Sequence, residues 1–283
     1  MQIFLTGGTG FIGSHVVRIG LEKNLRLVAI RRPGSRGPRI PLCQEPHWVD
    51  KQFEQVVAED MTGCDVLLHL ASHTPNPPYD SLTNCMRWNV MEPLRLFQQA
   101  QKVGISRFVV AGSCFEYGKA GERYNFIPAN APLEPAHTYP ASKACASIAF
   151  QQWAREQGLS LILQRIFQVY GEGEDATRLW PSLRAKALAG ANLDMTLAQQ
   201  VRDFISVENV ACELLNSCVQ LSTSSTPIRI IRNLGSGQPS TVRKFAESWW
   251  QSWGGTGQLR FGAIPYRSGE VMRFVPDLAP FAF

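Results

Sequence analysis

Tyr139 and Lys143 are the residues whose types and spacing best suit acid–base chemistry. They stand four apart in the segment YPASK, so on a helix both side chains point the same way. A phenol has an unperturbed pKa near 10, and an ammonium group one helical turn away favours the phenolate. Lowering the pKa of the phenol by about three units takes roughly 4 kcal/mol of differential interaction. The pair therefore predicts proton transfer at Tyr139 with Lys143 lowering its pKa.

A second chemical feature is the glycine cluster of TGGTGFIG, in which Gly7, Gly10 and Gly13 are spaced three apart. The cluster follows QIFLT, a predicted buried strand, and opens FIGSHVVRIGLEKN, which has helical apolar spacing. Glycines let the backbone turn tightly and approach a pyrophosphate, whose charge then lies at the helix N-terminus. Similar turns occur in α/β proteins that bind nothing, but the strand–turn–helix context favours a dinucleotide site.

The elements that must position these groups alternate through the first 170 residues. Segments rich in Val, Ile and Leu predict buried parallel strands over 25–30, 65–71, 107–112 and 160–166. Helices are predicted between them, over 89–104 and 139–158. This alternation predicts an α/β fold with a Rossmann-type, doubly wound parallel sheet.

The pattern changes after residue 170 and becomes mixed. We therefore expect a dinucleotide-binding domain over 1–170 and a smaller, partly interleaved C-terminal substrate lobe over 171–283. The Pro-rich segment HTPNPPYD (73–80) predicts a loop near the ligand cleft, because it follows the C-terminal end of a strand.

Composition narrows the class of protein. The chain has 283 residues, 45% of them hydrophobic and 18% charged, which is typical of a globular protein. No apolar run approaches the roughly 18 residues that span a bilayer, so we expect no membrane partner. The seven cysteines form no C-x-x-C pair, which predicts reduced thiols and no metal site. With the first strand starting at Gln2, no leader is expected, and a cytoplasmic protein is predicted.

The formal charge of +5 includes an early cluster of arginines. No nucleic-acid-binding motif accompanies the cluster, so no nucleic-acid partner is expected and small anionic ligands explain the charge as well.

Taken together, TGGTGFIG, HLAS (69–72), Ser113 in GSCFEYG and the YPASK pair resemble the extended short-chain dehydrogenase/reductase family. The resemblance runs over essentially the whole chain and implies catalytic roles for Ser113, Tyr139 and Lys143. Tyr139 would exchange a proton with the substrate oxygen while hydride moves to or from nicotinamide. Ser113 would polarise the same oxygen, and Lys143 would also bond the nicotinamide ribose. The implied cofactor contacts are Gly7, Thr9, Gly10, Phe11, Ile12, Gly13, Arg31, Arg32, Asp50, Leu70, Ala71, Ser72, Asn89, Tyr139 and Lys143.

The end of the second strand predicts which dinucleotide is used. NAD users of this fold place an acidic residue there, whereas this chain has Arg31 and Arg32 in VAIRRPGSR. Two guanidinium groups suit the oxygens of a 2′-phosphate, so NADP(H) is the expected cofactor, although a solvated basic turn is the simpler alternative. Asp50 resembles the family's adenine-contacting aspartate, and Asn89 resembles the asparagine that opens the helix facing the fifth strand.

The residues after Ser113 bear on the reaction. Dehydratases of the family carry an acid and a base there, in patterns such as T-D-E or T-S-E before Tyr-Gly. This chain has Cys114 and Phe115 at those places, and Glu116 comes one residue late. On a strand-like segment that shift turns the side chain to the opposite face, so elimination of water lacks its carboxylates.

The latter half of the chain resembles relatives that bind nucleotide sugars. Arg202 in VRDFIS and Arg267 in PYRSGEVM match two arginines that grip the diphosphate in such relatives, and two guanidinium forks suit that group. Gln168 stands where many relatives have a substrate-touching asparagine, so its role is open. The expected substrate contacts are His73, Thr74, Ser113, Cys114, Phe115, Gln168, Arg202 and Arg267.

The segment FGAIPYRSGEVM is similar to a branch of the family that contains 4-ketoreductases for deoxysugars. With the NADP preference, it predicts reduction of the C4 ketone of a nucleotide-linked 4-keto-6-deoxysugar. A nucleotide-sugar 4-epimerase is the nearest alternative, and a non-catalytic NADP-binding regulator or RNA-associated factor is another. Relatives often pair through two flanking helices, so a homodimer is expected, with the helix of Tyr139 one candidate for the interface.

Overall fold

A computed structural model describes residues 1–267 and 269–283. In chain order the strands are β1 (Gln2–Thr6), β2 (Arg26–Arg31), β3 (His47–Asp50), β4 (Val66–His69), β5 (Arg107–Ser113), β6 (Ser160–Ile166), β7 (Gln168–Tyr170), β8 (Leu193–Met195), β9 (Val201–Ser206), β10 (Arg229–Leu234), β11 (Pro239–Thr241), β12 (Leu259–Phe261), β13 (Arg273–Phe274) and β14 (Phe281–Ala282). The helices are α1 (Phe11–Glu22), α2 (Leu82–Met86), α3 (Glu92–Lys102), α4 (Thr138–Glu156), α5 (Leu179–Leu188), α6 (Val207–Thr223) and α7 (Val242–Ser252).

The main sheet of the described residues has the strand order β3-β2-β1-β4-β5-β6-β10-β14. Neighbouring strands run parallel except the last pair, in which β14 lies antiparallel to β10. The order turns back on itself at β1, which lies between β2 and β4, and ligands of such sheets bind at this kind of reversal. The predicted α/β class and doubly wound parallel sheet are confirmed.

Apolar side chains on both faces of the sheet explain why its strands are nearly continuous hydrophobic runs. On one face, α1 and α6 pack over β1 through residues such as Val17 and Leu214. On the other face, α3 and α4 cover the sheet with an aromatic cluster that includes Phe97, Phe108 and Trp153.

The chain beyond residue 170 both rejoins the main sheet and forms a smaller core of its own. Helix α6 and strand β10 return to the main sheet, beside α1 and β6 respectively. Strands β7, β9, β11 and β13 form a second small sheet, while α5 and α7 pack around Phe245 and Trp250 in a separate cluster. The assignment of 1–170 and 171–283 to cofactor and substrate stays a prediction.

The helix predicted over 89–104 is interrupted in the structure. Helix α2 passes into a π-helical turn, Arg87–Met91, and only then into α3. The π turn holds Asn89, whose amide bonds the loop after β4 and helix α4, as described below. Turns of this type often mark functional positions, and hydrophobic spacing does not reveal them.

Candidate active site

The candidate site lies where four strands of the main sheet end. The register pairs Thr6 of β1 with His69 of β4, and Ser113 of β5 with Ile166 of β6. Consequently the glycine turn after β1, the segment after β4 and Ser113 all reach the same edge of the sheet. This is the edge at which open α/β sheets bind ligands.

The glycine turn has the geometry that a pyrophosphate requires. Gly7 has a φ of +77°, and a Cβ there would lie 2.7 Å from the nitrogen of Ala71. A Cβ on Gly13 would overlap the carbonyl oxygen of Gly7. Gly10 precedes α1 without a side-chain cap, so the first N–H groups of that helix remain available to an anion. These residues fit a dinucleotide cofactor, which would supply or accept the hydride of the reaction.

Thr6 and His69 fix the backbone that follows β4. The Thr6 hydroxyl lies 2.8 Å from His69 Nδ1 and accepts from the N–H groups of Leu70 and Ala71 at 3.2 and 3.1 Å. Burial, with the charge of Lys143, lowers the pKa of His69 to about 3, so its ring is neutral and Nδ1 can accept. The backbone expected to contact the cofactor is thus held by a neutral pair inside the fold.

Tyr139 and Lys143 both lie on α4 and are buried. Burial raises the pKa of Tyr139 to about 12, although hydrogen bonding with Ser72 and Ser113 lowers it. The Lys143 ammonium donates to the carbonyl oxygen of Ala111 over 2.6 Å, and burial lowers its pKa. The expected lowering of the Tyr139 pKa is therefore opposite to what the protein's own groups do. Desolvation outweighs the local hydrogen bonds and keeps the phenol protonated.

The loop after β4 is tied to α4. Asn89 Oδ1 accepts from the His73 N–H at 2.8 Å, and its Nδ2 donates to the Ser142 hydroxyl at 2.9 Å. At the far end of the loop, the carboxylate of Asp80 lies 2.8 Å from His73 Nε2, and its carbonyl accepts from the Thr138 hydroxyl. Asn89 thus bonds protein groups here, and its contact with a cofactor stays a prediction.

Tyr79, in the same loop, is a cleft residue that the sequence analysis missed. Its ring stacks on that of Tyr139, with centroids 5.7 Å apart and an interplanar angle of 23°. It also packs against His137, at 5.8 Å. The stack restricts the Tyr139 ring and shields it from water. A signal was present, since the loop was expected at the cleft and Tyr79 is its aromatic residue.

The residues after Ser113 form a 3₁₀ turn, Cys114–Glu116. The inward direction of the Glu116 carboxylate comes from this turn and not from the alternating side-chain directions of a strand. The Glu116 side chain is fully buried. Phe115 is exposed, whereas Cys114 is buried and its thiol pKa is raised to about 12 by desolvation. Cys114 is therefore a neutral thiol, and the expectation that elimination lacks its carboxylates is consistent with this geometry.

The predicted diphosphate arginines differ in their surroundings. One Nη of Arg202 donates to Glu270 at 2.9 Å and to the Val271 carbonyl at 2.6 Å. Arg267 is exposed, and its carbonyl oxygen accepts from the Glu270 N–H at 3.2 Å. Gln168 opens β7 and is half-buried. The roles of these three residues toward a substrate stay predictions.

Two further charged residues of this region were not singled out from the sequence. Glu174 lies in the loop after β7, and its carboxylate is 3.6 Å from the Arg178 guanidinium. Burial raises the pKa of Glu174 to about 7 despite that neighbour. Burial raises the pKa of Tyr79, and the charge of Arg178, which precedes α5, opposes that rise, so Arg178 lies toward the cleft.

At the end of β2, Arg31 and Asp50 bond each other. Arg31 Nε and Nη2 donate to the two carboxylate oxygens at 2.6 and 3.1 Å, a bidentate pair. Arg32, next along the chain, is exposed, and among the described residues it forms no ion pair within 4.0 Å. The two arginines predicted to bind a 2′-phosphate are therefore not equivalent.

Comparison with known proteins identifies the family. The NAD dependent epimerase/dehydratase family matches residues 3–218, most of the chain. The protein belongs to this family. The resemblance to extended short-chain dehydrogenase/reductases is thereby confirmed, and the chain is an oxidoreductase-type enzyme of an NAD-dependent family.

Individual members of the family are distant from this chain. CDP-abequose synthase of Salmonella muenchen is 23% identical over 274 residues, covering 96% of this chain and 87% of the synthase. The structure of TunA, an NAD-dependent NDP-hexosamine 5,6-dehydratase of tunicamycin biosynthesis, matches with a TM-score of 0.81 at 26% identity, over 98% of this chain and 89% of TunA. The UDP-glucose 4-epimerase of Thermotoga maritima shares the fold, with a TM-score of 0.79 at 22% identity over 98% and 90% of the two chains.

Proposed function

We propose that the protein uses NADPH to reduce the C4 ketone of a nucleotide-linked 4-keto-6-deoxysugar. The observation that carries this proposal is the environment of Tyr139, a buried and protonated phenol beside the Ser72 and Ser113 hydroxyls at the edge where the glycine turn ends. A ketone reduction needs a proton donor at this place, and a phenol with a pKa of about 12 holds its proton at neutral pH.

In this mechanism Ser113 orients the substrate carbonyl by donating a hydrogen bond to its oxygen. Tyr139 would donate its phenolic proton to the same oxygen, with hydride supplied to the carbon by a dinucleotide held at the glycine turn, which gives a secondary alcohol. Lys143, one turn along α4, places a positive charge near the phenolate that forms and stabilises it. Tyr79 holds the Tyr139 ring in place by stacking.

The residues beside Ser113 favour this reaction over elimination of water. Cys114 is a buried neutral thiol and Phe115 is apolar, while the carboxylate of Glu116 is enclosed beneath β5. A dehydratase needs an acid and a base at the sugar ring. To eliminate water as a dehydratase such as TunA does, this protein would need such groups from elsewhere in the cleft.

NADPH as the cofactor is supported by the basic end of β2. Arg32 is exposed there, and Arg31 lies beside it on Asp50. A guanidinium group suits a 2′-phosphate. A reductase must release its oxidised cofactor and bind a reduced one in every turnover, and NADPH is the usual reductant in cells.

A nucleotide-sugar 4-epimerase is the second candidate, because Ser113, Tyr139 and Lys143 would serve it equally and the T. maritima epimerase shares this fold. An epimerase reduces the carbon that it has oxidised and consumes no cofactor. A non-catalytic NADP-binding or RNA-associated role is the third, but such a protein has no need of a protonated Tyr139 between two serines.

The test measures NADPH absorbance with purified protein and CDP-, dTDP-, GDP- and UDP-linked 4-keto-6-deoxysugars. Stoichiometric loss of NADPH with one of them would support the reductase and name its nucleotide. In a parallel assay, interconversion of UDP-glucose and its C4 epimer without net loss of NADPH would replace it with the epimerase. Salt-sensitive RNA binding with no turnover would favour the third role.

A homodimer is a further part of the proposal. Ile148 on α4 is 60% exposed and Met91, at the end of the π turn, is 61% exposed, on elements that pack against each other. An apolar surface of this kind suits a second copy of the chain. Light scattering should give a dimer for the protein and a monomer for Ile148→Glu; a wild-type monomer would contradict the proposal.

Two observations bear on the predicted cellular location of the protein. The seven cysteines are all free, as expected for reduced thiols, and a cytoplasmic location stays a prediction. In the part of the chain that the structure describes, no helix is long and apolar enough to cross a membrane.

A further inference from the structure

The buried carboxylate of Glu116 joins three elements of the site. Its Oε1 accepts from the backbone N–H of Ser113 at 2.8 Å. Its Oε2 accepts from the Ser147 hydroxyl at 2.6 Å and from Arg165 Nε at 2.8 Å. Ser113 ends β5, Ser147 is one helical turn beyond Lys143 on α4, and Arg165 lies in β6. One carboxylate thus connects both elements that carry the proposed catalytic groups.

The fold leaves room for this carboxylate because residue 112 is a glycine. A Cβ on Gly112 would lie 2.9 Å from Glu116 Oε1 and 3.1 Å from Arg165 Cγ, so only glycine fits beside the pair. Arg165 is itself satisfied, since one Nη donates to the Tyr117 hydroxyl at 3.0 Å and to the Ala129 carbonyl at 2.8 Å. The Tyr117 hydroxyl in turn donates to Asn233 at 2.6 Å. A buried ion pair with this many partners has a defined geometry.

Positive charges outnumber negative charges around Lys143. Arg165 and Lys143 are cations, and Glu116 is the carboxylate that acts on both. From β4, His69 faces Lys143 as a neutral ring; from β5, the Ala111 carbonyl oxygen accepts a hydrogen bond from the Lys143 ammonium. Burial lowers the pKa of Lys143, and the charge of Glu116 opposes that shift.

Other groups face Tyr139. They are Ser72 after β4, Ser113 on β5, Cys114 in the 3₁₀ turn and Tyr79 in the loop. Cys114 is a neutral thiol, and Ser72 and Ser113 carry no charge. Among these neighbours Glu116 brings a negative charge, which raises the pKa of the phenol, whereas the positive charge of Lys143 lies one helical turn along α4.

We propose that Glu116 is a positioning residue for this active site: it fixes Ser113 through the backbone and supplies a negative charge that offsets part of the positive charge of Arg165 and Lys143. The proposal rests on the assignment of Ser113, Tyr139 and Lys143 in the proposed function. It extends that function to a residue that contacts neither substrate nor cofactor and acts through two residues that would.

The first test measures Lys143 directly and needs no substrate. In protein labelled with [13Cε]lysine, the Lys143 signal is assigned with Lys143→Arg and titrated by NMR. We expect Glu116→Gln to move the Lys143 midpoint about one pH unit lower, because a nearby negative charge is removed. Tyr117→Phe is the matched control, since it weakens the same network without changing its charge, and its Lys143 midpoint should equal that of the wild type. An unchanged midpoint in Glu116→Gln would overturn the proposed charge balance.

The second test separates charge from position. Glu116→Asp keeps the carboxylate near Lys143 and Arg165 but is one methylene too short to hold every donor. We expect its Lys143 midpoint to stay near that of the wild type while exchange of the Ser113 amide proton becomes at least tenfold faster. Slow Ser113 exchange in Glu116→Asp would refute the positioning role, and this readout stands even if Glu116→Gln does not fold.

Turnover adds a third readout. With whichever ketosugar the wild type reduces, the alkaline limb of kcat/KM should move about one pH unit lower in Glu116→Gln and stay in place in Tyr117→Phe. If the wild type reduces none of the sugars, the proposed reaction fails, while the lysine titration and the amide exchange still decide the role of Glu116.

Discussion

The two ends of the cleft are built in different ways. The end proposed to bind the cofactor is made of backbone, from a turn in which Gly7, Gly10 and Gly13 leave room for a close approach. The end proposed to carry out catalysis is made of side chains brought together from separate elements, with Ser113 on β5 and Tyr139 on α4. A single short segment specifies the first, whereas the second depends on the packing of the whole sheet.

This difference governs how each end should respond to substitution. At the cofactor end the atoms that matter are main-chain atoms, so an added side chain does harm by occupying space. At the catalytic end the functional atoms belong to individual side chains, so deleting one atom removes a function while leaving the packing in place. The variants below test this contrast, beginning with the largest expected effect.

Tyr139→Phe should give the largest change, because it deletes the proton donor and nothing else. We expect kcat to fall by about 10³-fold, equivalent to about 4 kcal/mol of transition-state stabilisation, with NADPH affinity unchanged. Tyr117→Phe is the control, since it removes a hydroxyl from another buried tyrosine; it should cost about 1 kcal/mol of unfolding free energy and less than fivefold in kcat. Steady-state kinetics and urea unfolding measure both, and comparable turnover in the two variants would contradict the assignment of Tyr139.

Gly13→Ala should give the largest loss of stability. Its Cβ would overlap the Gly7 carbonyl oxygen, which is main chain and cannot rotate away. We expect a loss of about 3 kcal/mol in unfolding free energy, together with loss of NADPH binding. Gly10→Ala is matched to it in the same turn, and its Cβ would lie 3.2 Å from the same oxygen. That variant should lose about 1 kcal/mol, and equal losses would mean that the turn relaxes as a unit.

The same contrast explains how far the sequence could predict the structure. The glycine turn and the Tyr139–Lys143 pair are local patterns, so their spacing alone predicts their geometry. Glu116 and Arg165 bond across 49 residues, and Arg202 and Glu270 across 68, so neither pair follows from local spacing. A partial signal for the first pair was present: Arg165 lies in a strand that the sequence predicts to be buried, where a charge needs a buried partner.

At the basic end of β2 one arginine is paired with Asp50 and the next is exposed. Arg32→Ala tests whether the exposed one would bind a 2′-phosphate. Arg32 is exposed, so its guanidinium is available to a 2′-phosphate. We expect the preference for NADPH over NADH to fall about tenfold, or about 1.4 kcal/mol. Arg31→Ala should change it only about twofold, because Asp50 already neutralises Arg31. Binding constants for both cofactors measure the ratio, and a larger effect of Arg31→Ala would show that Asp50 releases its partner to the cofactor.

Glu174→Gln should have an effect that appears only above acidic pH, and it tests the environment of the loop after β7. Burial raises the pKa of the folded carboxyl to about 7, above its ordinary value of 4.5. Below pH 4.5 both folded and unfolded chains hold the proton, so the wild type has its full stability there. Between pH 4.5 and about 7 only the folded chain holds it, so stability falls as the pH rises. After allowance for Arg178 and for solvent, we expect Glu174→Gln to be about 1–2 kcal/mol more stable than the wild type at pH 8 and equal to it at pH 4.

Asp175→Asn is the matched control for that pH dependence, because it is the adjacent carboxyl with the opposite shift. Hydrogen bonds from Thr177 lower the pKa of Asp175, so its carboxylate stabilises the folded chain above the unfolded pKa and loses that effect as the pH falls. Urea unfolding from pH 4 to pH 8 should therefore show Asp175→Asn less stable than the wild type at high pH, the reverse of Glu174→Gln. Parallel curves for the two variants would mean that Glu174 is as solvated as its neighbour. The loop after β7 would then resemble an exposed turn, and Arg178 would be free to act on the substrate without a carboxylate beside it.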